Sequence, residues 1–296
     1  MNSIYNETKF ILKKYGITAN KNLGQNFLIN EEVINQIIKS ADIKKEDLVI
    51  EIGPGLGTLT HRLLEKAGKV ICVELDNRMT EILTDRFKLY NNFELINDDI
   101  LKVNLKEIIE NNVGLGASVH MSQTEHVKNV KIVANLPYYI TTPIIMKLLE
   151  EKLNIESITV MIQKEVADRL IAIPGEKNTG AITYSVYYYA KSKKIIDVEN
   201  NSFIPEPNVT SSVIKLDIRK QPPVEVKDEK LMFKIIKQSF MQRRKTLVNA
   251  LSNLKIFDTK EQIITILKKL NIDEKVRGEA LTIEQFAKIA ELSDKL

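Results

Sequence analysis

The sequence predicts an α/β fold: a parallel sheet covered by helices on both faces, followed by a small all-α C-terminal domain. Three observations predict it. Short β-branched apolar runs recur over the first two thirds of the chain, amphipathic helical patterns lie between them, and after a proline-rich junction the strands stop while helical periodicity continues. Strands buried on both faces read as continuous apolar runs, and their alternation with helices is the mark of a parallel sheet.

The elements follow in order. Leu48 to Ile52 is a buried strand ending in glycines. Val70 to Glu74, Phe93 to Ile96, Ile132 to Asn135 and Ile158 to Ile162 are the next four. Between them, Thr58 to Ala67, Met79 to Lys88, Thr142 to Leu153 and Gln163 to Ala172 carry helical spacing. Ile195 to Val198 and Val213 to Ile218 close the sheet as antiparallel strands. Arg219-Lys220-Gln221-Pro222-Pro223 reads as a linker, because proline fixes φ and removes a donor. Beyond it, Glu229 to Met241, Arg244 to Asn253, Thr259 to Leu270 and Thr282 to Leu296 are helical. The expected domains are therefore residues 1–219 and 220–296.

Composition narrows the class. Of 296 residues, 44% are hydrophobic and 28% charged, which excludes a disordered tail, a collagen-like chain and a disulfide scaffold. The single cysteine, Cys72, forbids an internal disulfide and fits a reducing compartment. The opening residues lack the charged-then-apolar pattern of a secretory signal. No stretch approaches the roughly 18 apolar residues of a spanning helix. The expectation is a cytoplasmic protein without a membrane partner. The net charge is +4, and residues 221–296 carry all of it, with 15 Lys and Arg against 11 Asp and Glu.

Gly53-Pro54-Gly55-Leu56-Gly57 follows the first strand and opens a helix. Glycines let the backbone turn sharply and approach a ligand, and the helix N-terminus adds free N–H groups. The spacing is G-x-G-x-G rather than the dinucleotide G-x-G-x-x-G, with Thr58 where the last glycine would fall. A tighter loop with no pyrophosphate to hold suits an amino-acid-bearing nucleoside. Glu74 ends the second strand, where an acid accepts from both ribose hydroxyls. Asp98-Asp99 follow the third, where a carboxylate reads an adenine amino group. Loop, ribose acid and third-strand acid together describe an S-adenosylmethionine pocket in a Rossmann-like class I methyltransferase sheet. The plain alternative is a tight turn beside a solvated acidic edge.

Asn135-Leu136-Pro137-Tyr138-Tyr139 ends the fourth strand, beside the first in doubly wound order. An exocyclic amino nitrogen on a base is a poor nucleophile, because its lone pair is delocalised into the ring. Acceptors on its two N–H bonds hold it and favour positive charge at nitrogen as it attacks a sulfonium methyl. The Asn135 amide oxygen and the Leu136 carbonyl can be those acceptors. Pro137 stiffens the loop, and Tyr138 offers a face for an extruded base. The plain alternative is a proline turn with core tyrosines.

These motifs resemble those of the small-subunit (16S) rRNA adenine N6-dimethyltransferases. The resemblance covers nearly the whole chain: Leu23-Gly24-Gln25-Asn26-Phe27-Leu28, the Gly53–Gly57 loop, Glu74, Asp99, Asn135 to Tyr138, Gln163 to Val166, Phe203 to Val209 and Gln242 to Thr246. It implies dimethylation of two adjacent adenines in a hairpin near the 3′ end of that RNA, with S-adenosylmethionine as cofactor. It implies Asn26, Leu28, Gly53, Glu74, Asp99 and Asn135 around the cofactor, with Gly55 and Gly57 in the same loop. Phe203 is a candidate for the second face of the stacked base. The expected partner is small-subunit rRNA in an immature 30S particle, met by a monomer. Lys13, Lys14 and Lys21 flank the pocket mouth, and Arg243-Arg244-Lys245 begins a C-terminal helix; both groups suit rRNA phosphates. Tyr187-Tyr188-Tyr189 is assigned at least in part to core packing, since adjacent residues cannot share one helix face. Asn111 to Asn129 departs from the family by its length and reads as a polar surface loop. Its histidines, His120 and His126, are read as solvated, and no metal site is expected.

Three alternatives stay open in the sequence. One is a large-subunit rRNA adenine methyltransferase of the macrolide-resistance type. Another is a ribosome-assembly factor with incidental methylation. The third is a small-molecule methyltransferase, which leaves the basic C-terminal helices unexplained.

Overall fold

A computed structural model describes residues 3–20, 23–113 and 127–293. The N-terminal helix α1 (Ile4–Lys14) leads to a two-residue strand, β1 (Phe27–Leu28), and to α2 (Glu31–Ala41). Asn30 caps α2, its side chain accepting from the Glu32 and Val33 amides. Then strands and helices alternate: β2 (Asp47–Ile52), α3 (Thr58–Lys66), β3 (Lys69–Glu74), α4 (Asn77–Phe87), β4 (Phe93–Asn97), α5 (Leu105–Asn112), β5 (Asn129–Asn135), α6 (Thr141–Glu150), β6 (Ser157–Gln163) and α7 (Lys164–Ile171). After α8 (Ala181–Tyr189) come β7 (Ala190–Val198), β8 (Phe203–Ile204) and β9 (Ser211–Ile218). Four helices finish the chain: α9 (Glu229–Met241), α10 (Leu247–Leu251), α11 (Lys260–Lys269) and α12 (Ile283–Ser293).

The main sheet has seven strands in the order β4-β3-β2-β5-β6-β9-β7. The pairs from β4 to β6 are parallel, and β9 joins β6 antiparallel. Every residue of β2 is buried, as a central strand covered on both faces requires, whereas the edge strand β4 is half-exposed along most of its length. The order reverses beside β2, since the chain moves outward through β3 and β4 and returns on the other side as β5. That reversal opens a crevice at the C-terminal ends of β2 and β5.

The five predicted parallel strands are all present, within a few residues of their expected ends. Helices α1, α2, α5 and α8 lie outside the elements that the pattern predicts. For α8 the reason is physical: its sequence, Ala-Ile-Thr-Tyr-Ser-Val-Tyr-Tyr-Tyr, is apolar or aromatic almost all round and shows no helical stripe. One predicted helix is shorter than expected. Arg243, Arg244 and Lys245 sit in the turn between α9 and α10, and the helix begins at Leu247 under a Thr246 cap.

The chain forms two compact units, residues 1–167 with 193–218 and residues 168–192 with 219–296. The segment 168–192, expected in the sheet domain, groups instead with the helical unit. Packing explains it: Tyr184 and Tyr188 are buried in one cluster with Met232, Ile235, Leu247 and Phe286. The Tyr184 hydroxyl donates to the Leu281 carbonyl at 2.6 Å, and its ring meets Phe286 edge-on at 5.2 Å. Tyr188 of the tyrosine run thus belongs to that core, as its position on a helix requires.

Gly57 shows how tightly the sheet unit is packed. It precedes α3 with φ of 80°, and a Cβ built there would lie 2.5 Å from Phe87 Cε2 and 2.9 Å from Leu83 Cδ2. Gly57→Ala is expected to cost about 2–4 kcal/mol, from left-handed strain plus overpacking. Urea unfolding of parent and variant reads it; a loss below about 1 kcal/mol would mean that Phe87 moves aside freely.

Candidate functional site

The crevice at the ends of β2, β3, β4 and β5 is an open cavity. Three stretches converge on it: residues 23–28, the loop after β2, and the loop after β5. The N-terminal stretch is held by β1, which pairs with β8 so that Phe27 faces Ile204 and Leu28 faces Phe203. Asn30 donates to Ser202 Oγ at 3.1 Å and Ile29 to the Ser202 carbonyl at 2.8 Å, extending the same seam.

Glu74 closes the inner wall. It is 7% exposed, and each carboxylate oxygen accepts one backbone N–H, from Gly55 at 3.1 Å and from Asp76 at 2.9 Å. Each oxygen keeps a second lone pair for a ligand hydroxyl. Gly53 and Gly55 hold positive φ, which lets the loop curl over this carboxylate. Asp99 lines the cavity with one oxygen accepting from the Leu101 amide and the other free to accept. Leu28, Ile52 and Ile100 supply apolar surface between these groups.

Beneath the loop lies a second acid that the sequence reading did not single out. Glu51 is 2% exposed and lines the cavity, and the thiol of buried Cys72 points to its Oε2 at 3.4 Å. Burial pushes its carboxyl up to about 7 from 4.5, and the negative charge of Glu74 adds to the rise. Burial raises Glu74 as well, against the pull of its two backbone donors. The signal for Glu51 was present in the sequence: a carboxylate in the otherwise apolar run Leu48 to Ile52.

Opposite, Asn135 closes β5. Its amide nitrogen donates to the Asn26 carbonyl at 3.1 Å, so the amide oxygen is the end left for a ligand. The Leu136 amide donates to the Met161 carbonyl at 3.0 Å and fixes the loop's departure from the sheet. Thr141 donates to the Pro137 carbonyl at 3.1 Å and braces the turn from the other side. Tyr138 is half-buried, its hydroxyl 2.6 Å from Ser211 Oγ, and burial raises its pKa.

Asn26, Leu28, Gly53, Gly55, Glu74, Asp99, Asn135, Leu136, Pro137 and Tyr138 thus come together around one cavity. Two predicted residues do not line it. Gly57 is required by the Phe87 contact rather than by the cavity. Phe203 is 2% exposed, because its pairing with Leu28 turns the ring into the core of the sheet unit. Lys13 and Lys14 are exposed at the end of α1, where Lys14 pairs with Asp85 at 3.2 Å. The inner face of that helix packs Ile11 with Phe27 and Leu56 of the cavity wall. Lys21, His120 and His126 lie outside the described residues, as does the stretch 114–126 of the long polar segment. Arg243, Arg244 and Lys245 are exposed in the helical unit. Arg243 is committed there to Glu279 at 3.0 Å and to the Thr179 carbonyl at 3.1 Å.

Two further residues tie this stretch down: Gln25, which the motif contains without a role of its own, and Asp76, which no motif contains. Gln25 accepts from the Asn20 amide and donates to Asp76 Oδ2, both at 2.8 Å. Asp76 in turn grips Arg78, whose guanidinium holds the carboxyl below its usual range, and Gln25 adds to the effect. This polar bridge fixes residues 23–28 against the start of α4.

The residues present fit S-adenosylmethionine on the chemistry of the donor set. Glu51 and Glu74, buried carboxylates with no cation paired to them among the described residues, suit a ligand that brings a sulfonium and an ammonium. The Glu74 oxygens suit ribose hydroxyls, and the apolar wall suits a purine ring.

Residues 16–295 match the family described as ribosomal RNA adenine dimethylase. A protein of Clostridium botulinum (strain Kyoto), named ribosomal RNA small subunit methyltransferase A, is 50% identical over 284 residues, covering 96% of this chain and 97% of its own. A Clostridioides difficile protein of the same name is 45% identical over 290 residues, covering 98% and 96%. Among solved structures, a dimethyladenosine transferase from Plasmodium falciparum superposes with a TM-score of 0.71 at 28% identity, covering 89% of this chain and 95% of its own. The 23S rRNA methyltransferase ErmE shares the fold, with a TM-score of 0.64 at 22% identity and coverage of 91% and 100%.

Glu51 gives the protein a pH signature. Between 4.5 and about 7 the folded protein keeps a proton that the unfolded chain has released, so stability falls as pH rises through that window. Glu74, raised by the same cause, acts in the same direction. Glu51→Gln is expected to remove on the order of 3 kcal/mol of this fall, read as unfolding free energy against pH without ligand. A variant whose pH profile runs parallel to the parent's would move that titration to another group.

Proposed function

The chain belongs to the ribosomal RNA adenine dimethylase family, and we propose that it dimethylates the N6 amino groups of two adjacent adenines in the 3′-terminal hairpin of small-subunit rRNA. S-adenosylmethionine is the methyl donor. We infer that the substrate is an immature small-subunit particle and that the enzyme acts as a cytoplasmic monomer. One observation carries the reading: Asn135, whose amide oxygen takes no partner among the described residues, lines the same cavity as the glycine loop and Glu74. Relatives about half identical over nearly the whole chain carry small-subunit names, whereas the large-subunit enzyme shares the fold alone.

S-adenosylmethionine, when bound, supplies an electrophilic methyl on a sulfonium. The chain's own residues do the rest. Glu74 holds the ribose hydroxyls, and Asp99 accepts from the purine amino group. Glu51 lies beneath the loop as the second buried carboxyl. Leu28, Ile52 and Ile100 keep water from the reacting centre. On the other side, the Asn135 oxygen and the Leu136 carbonyl accept the two N–H bonds of the target amine. They hold its nitrogen for attack and stabilise positive charge as it develops there. Pro137, braced by Thr141, keeps those acceptors aimed, and the Tyr138 ring supports the extruded base. The amine protons are acidified by the transfer itself, so no strong general base is needed. The direct test is tritiated methyl transfer to unmethylated small subunits, with mapping of the labelled nucleotides; label on other positions would overturn the reading.

Asn135→Ala is expected to slow single-turnover methyl transfer by about 100-fold or more while RNA affinity stays within about twofold. The lost acceptor acts on charge that appears only as the methyl moves. Transfer within about threefold of the parent would remove Asn135 from the chemistry.

For the helical unit, Arg244 and Lys245 are the better phosphate contacts, because Arg243 already serves Glu279 and Thr179. Changing Arg244 and Lys245 to Gln is expected to flatten log affinity against log salt by about one unit per lost contact. Arg243→Gln is expected to act mainly on stability. RNA binding across a salt series reads the difference, and an unaltered slope in the double variant would return both residues to a solvated turn.

A further inference from the structure

The loop after β5 carries two consecutive tyrosines with different surroundings. Tyr138 is half-buried and tied through its hydroxyl to Ser211. Tyr139 is 58% exposed, and its hydroxyl takes no partner among the described residues. Both rings line the same cavity, Tyr138 within it and Tyr139 toward the solvent.

Tyr139 is not a loose side chain. A methyl group built on Gly24 would lie 3.4 Å from its Cδ1 and 3.6 Å from its Cε1, with Pro137 Cβ also at 3.6 Å. The ring therefore leans on the bare backbone of residue 24 and beside Pro137, while more than half of its surface faces outward. A flat apolar surface held in one orientation, exposed to water and set beside a nucleobase cavity is what stacking of a second base requires.

We propose that Tyr139 is the platform for the nucleobase adjacent to the one held at Asn135, which makes a second base subsite at the cavity mouth. This rests on the adenine-methylating reading above. Both adenines of an adjacent pair must visit Asn135 in turn, and each visit breaks a base–base stack. The base left outside loses a neighbour and gains the Tyr139 ring, so the cost of extrusion falls. Stacking on an aromatic ring accepts any base, so one platform serves both visits.

The test uses the full chain saturated with S-adenosylhomocysteine and a synthetic hairpin bearing the two adenines. A second hairpin lacks the base next to the extruded one. Tyr139→Ala is expected to weaken binding of the intact hairpin by about fivefold or more, and Tyr139→Phe to keep it within about twofold, because the ring is retained. The parent should lose a similar factor on the abasic hairpin, and Tyr139→Ala should lose nothing further there. On unmethylated small subunits, Tyr139→Ala should raise KM for the particle by a similar factor. An alanine effect equal on both hairpins, or absent from both binding and KM, overturns the proposal. Failure of the underlying reading looks different: the parent itself would transfer no methyl to either adenine.

Discussion

The site depends on one line of hydrogen bonds that starts at the buried carboxylate of Glu74. Its two oxygens take the amides of Gly55 and Asp76, which pins the loop after β2 to the start of α4. Asp76 then receives Gln25, and the Asn26 carbonyl beside it receives the Asn135 amide. Four segments far apart in sequence are thereby held in one register: the N-terminal stretch, the glycine loop, the β3–α4 turn and the loop after β5. In a low-dielectric surrounding such bonds are strong when complete and costly when broken. The two walls of the cavity, at Glu74 and at Asn135, are consequently not independent, because a shift at either end is felt along the same chain of partners.

That connection explains which parts of the site could be read from the sequence. Glu74 and Asn135 were legible because each ends a strand, and strand ends at the switch point face the crevice whatever packs elsewhere. The cavity role of residues 23–28 was legible only through resemblance, since its cause is the pairing of β1 with β8, some 175 residues away. The same pairing decides Phe203. Read as a motif residue it belonged to the base, whereas opposite Leu28 its ring lies in the core. Gly57 looked like part of the cofactor loop, but the atom that excludes a side chain there belongs to Phe87. Local patterns reveal periodicity and chain ends; they do not reveal which distant side chain fills the space beside a glycine.

The grouping of segment 168–192 with the helical unit has a related reason. The proline-rich junction after Ile218 marks a true change of pattern, and three of the four helices after it lie close to the expected ones, while α10 keeps only Leu247–Leu251 of Arg244 to Asn253. Segment 168–192 carries no comparable mark. Its helix α8 is apolar on most sides, so it lacks the stripe that identifies a surface helix. It is recognisable only in place, where Tyr184 reaches the Leu281 carbonyl and Tyr188 meets Phe233 edge-on.

Glu51 and Glu74 show what the fold gives up to hold its ligand. A sheet designed for stability alone would place neutral groups at these positions, because burial disfavours both charged forms and the charge of Glu74 disfavours that of Glu51 further. Retaining them costs stability wherever the two carboxyls are charged. A ligand carrying positive charge reverses the balance: it stabilises both carboxylates at once, and by linkage it releases the proton that burial retained. The electrostatic cost borne by the free enzyme is therefore also a source of selectivity. On the proposed reading, a product that has lost the sulfonium charge would leave the same acids less well compensated than the donor does.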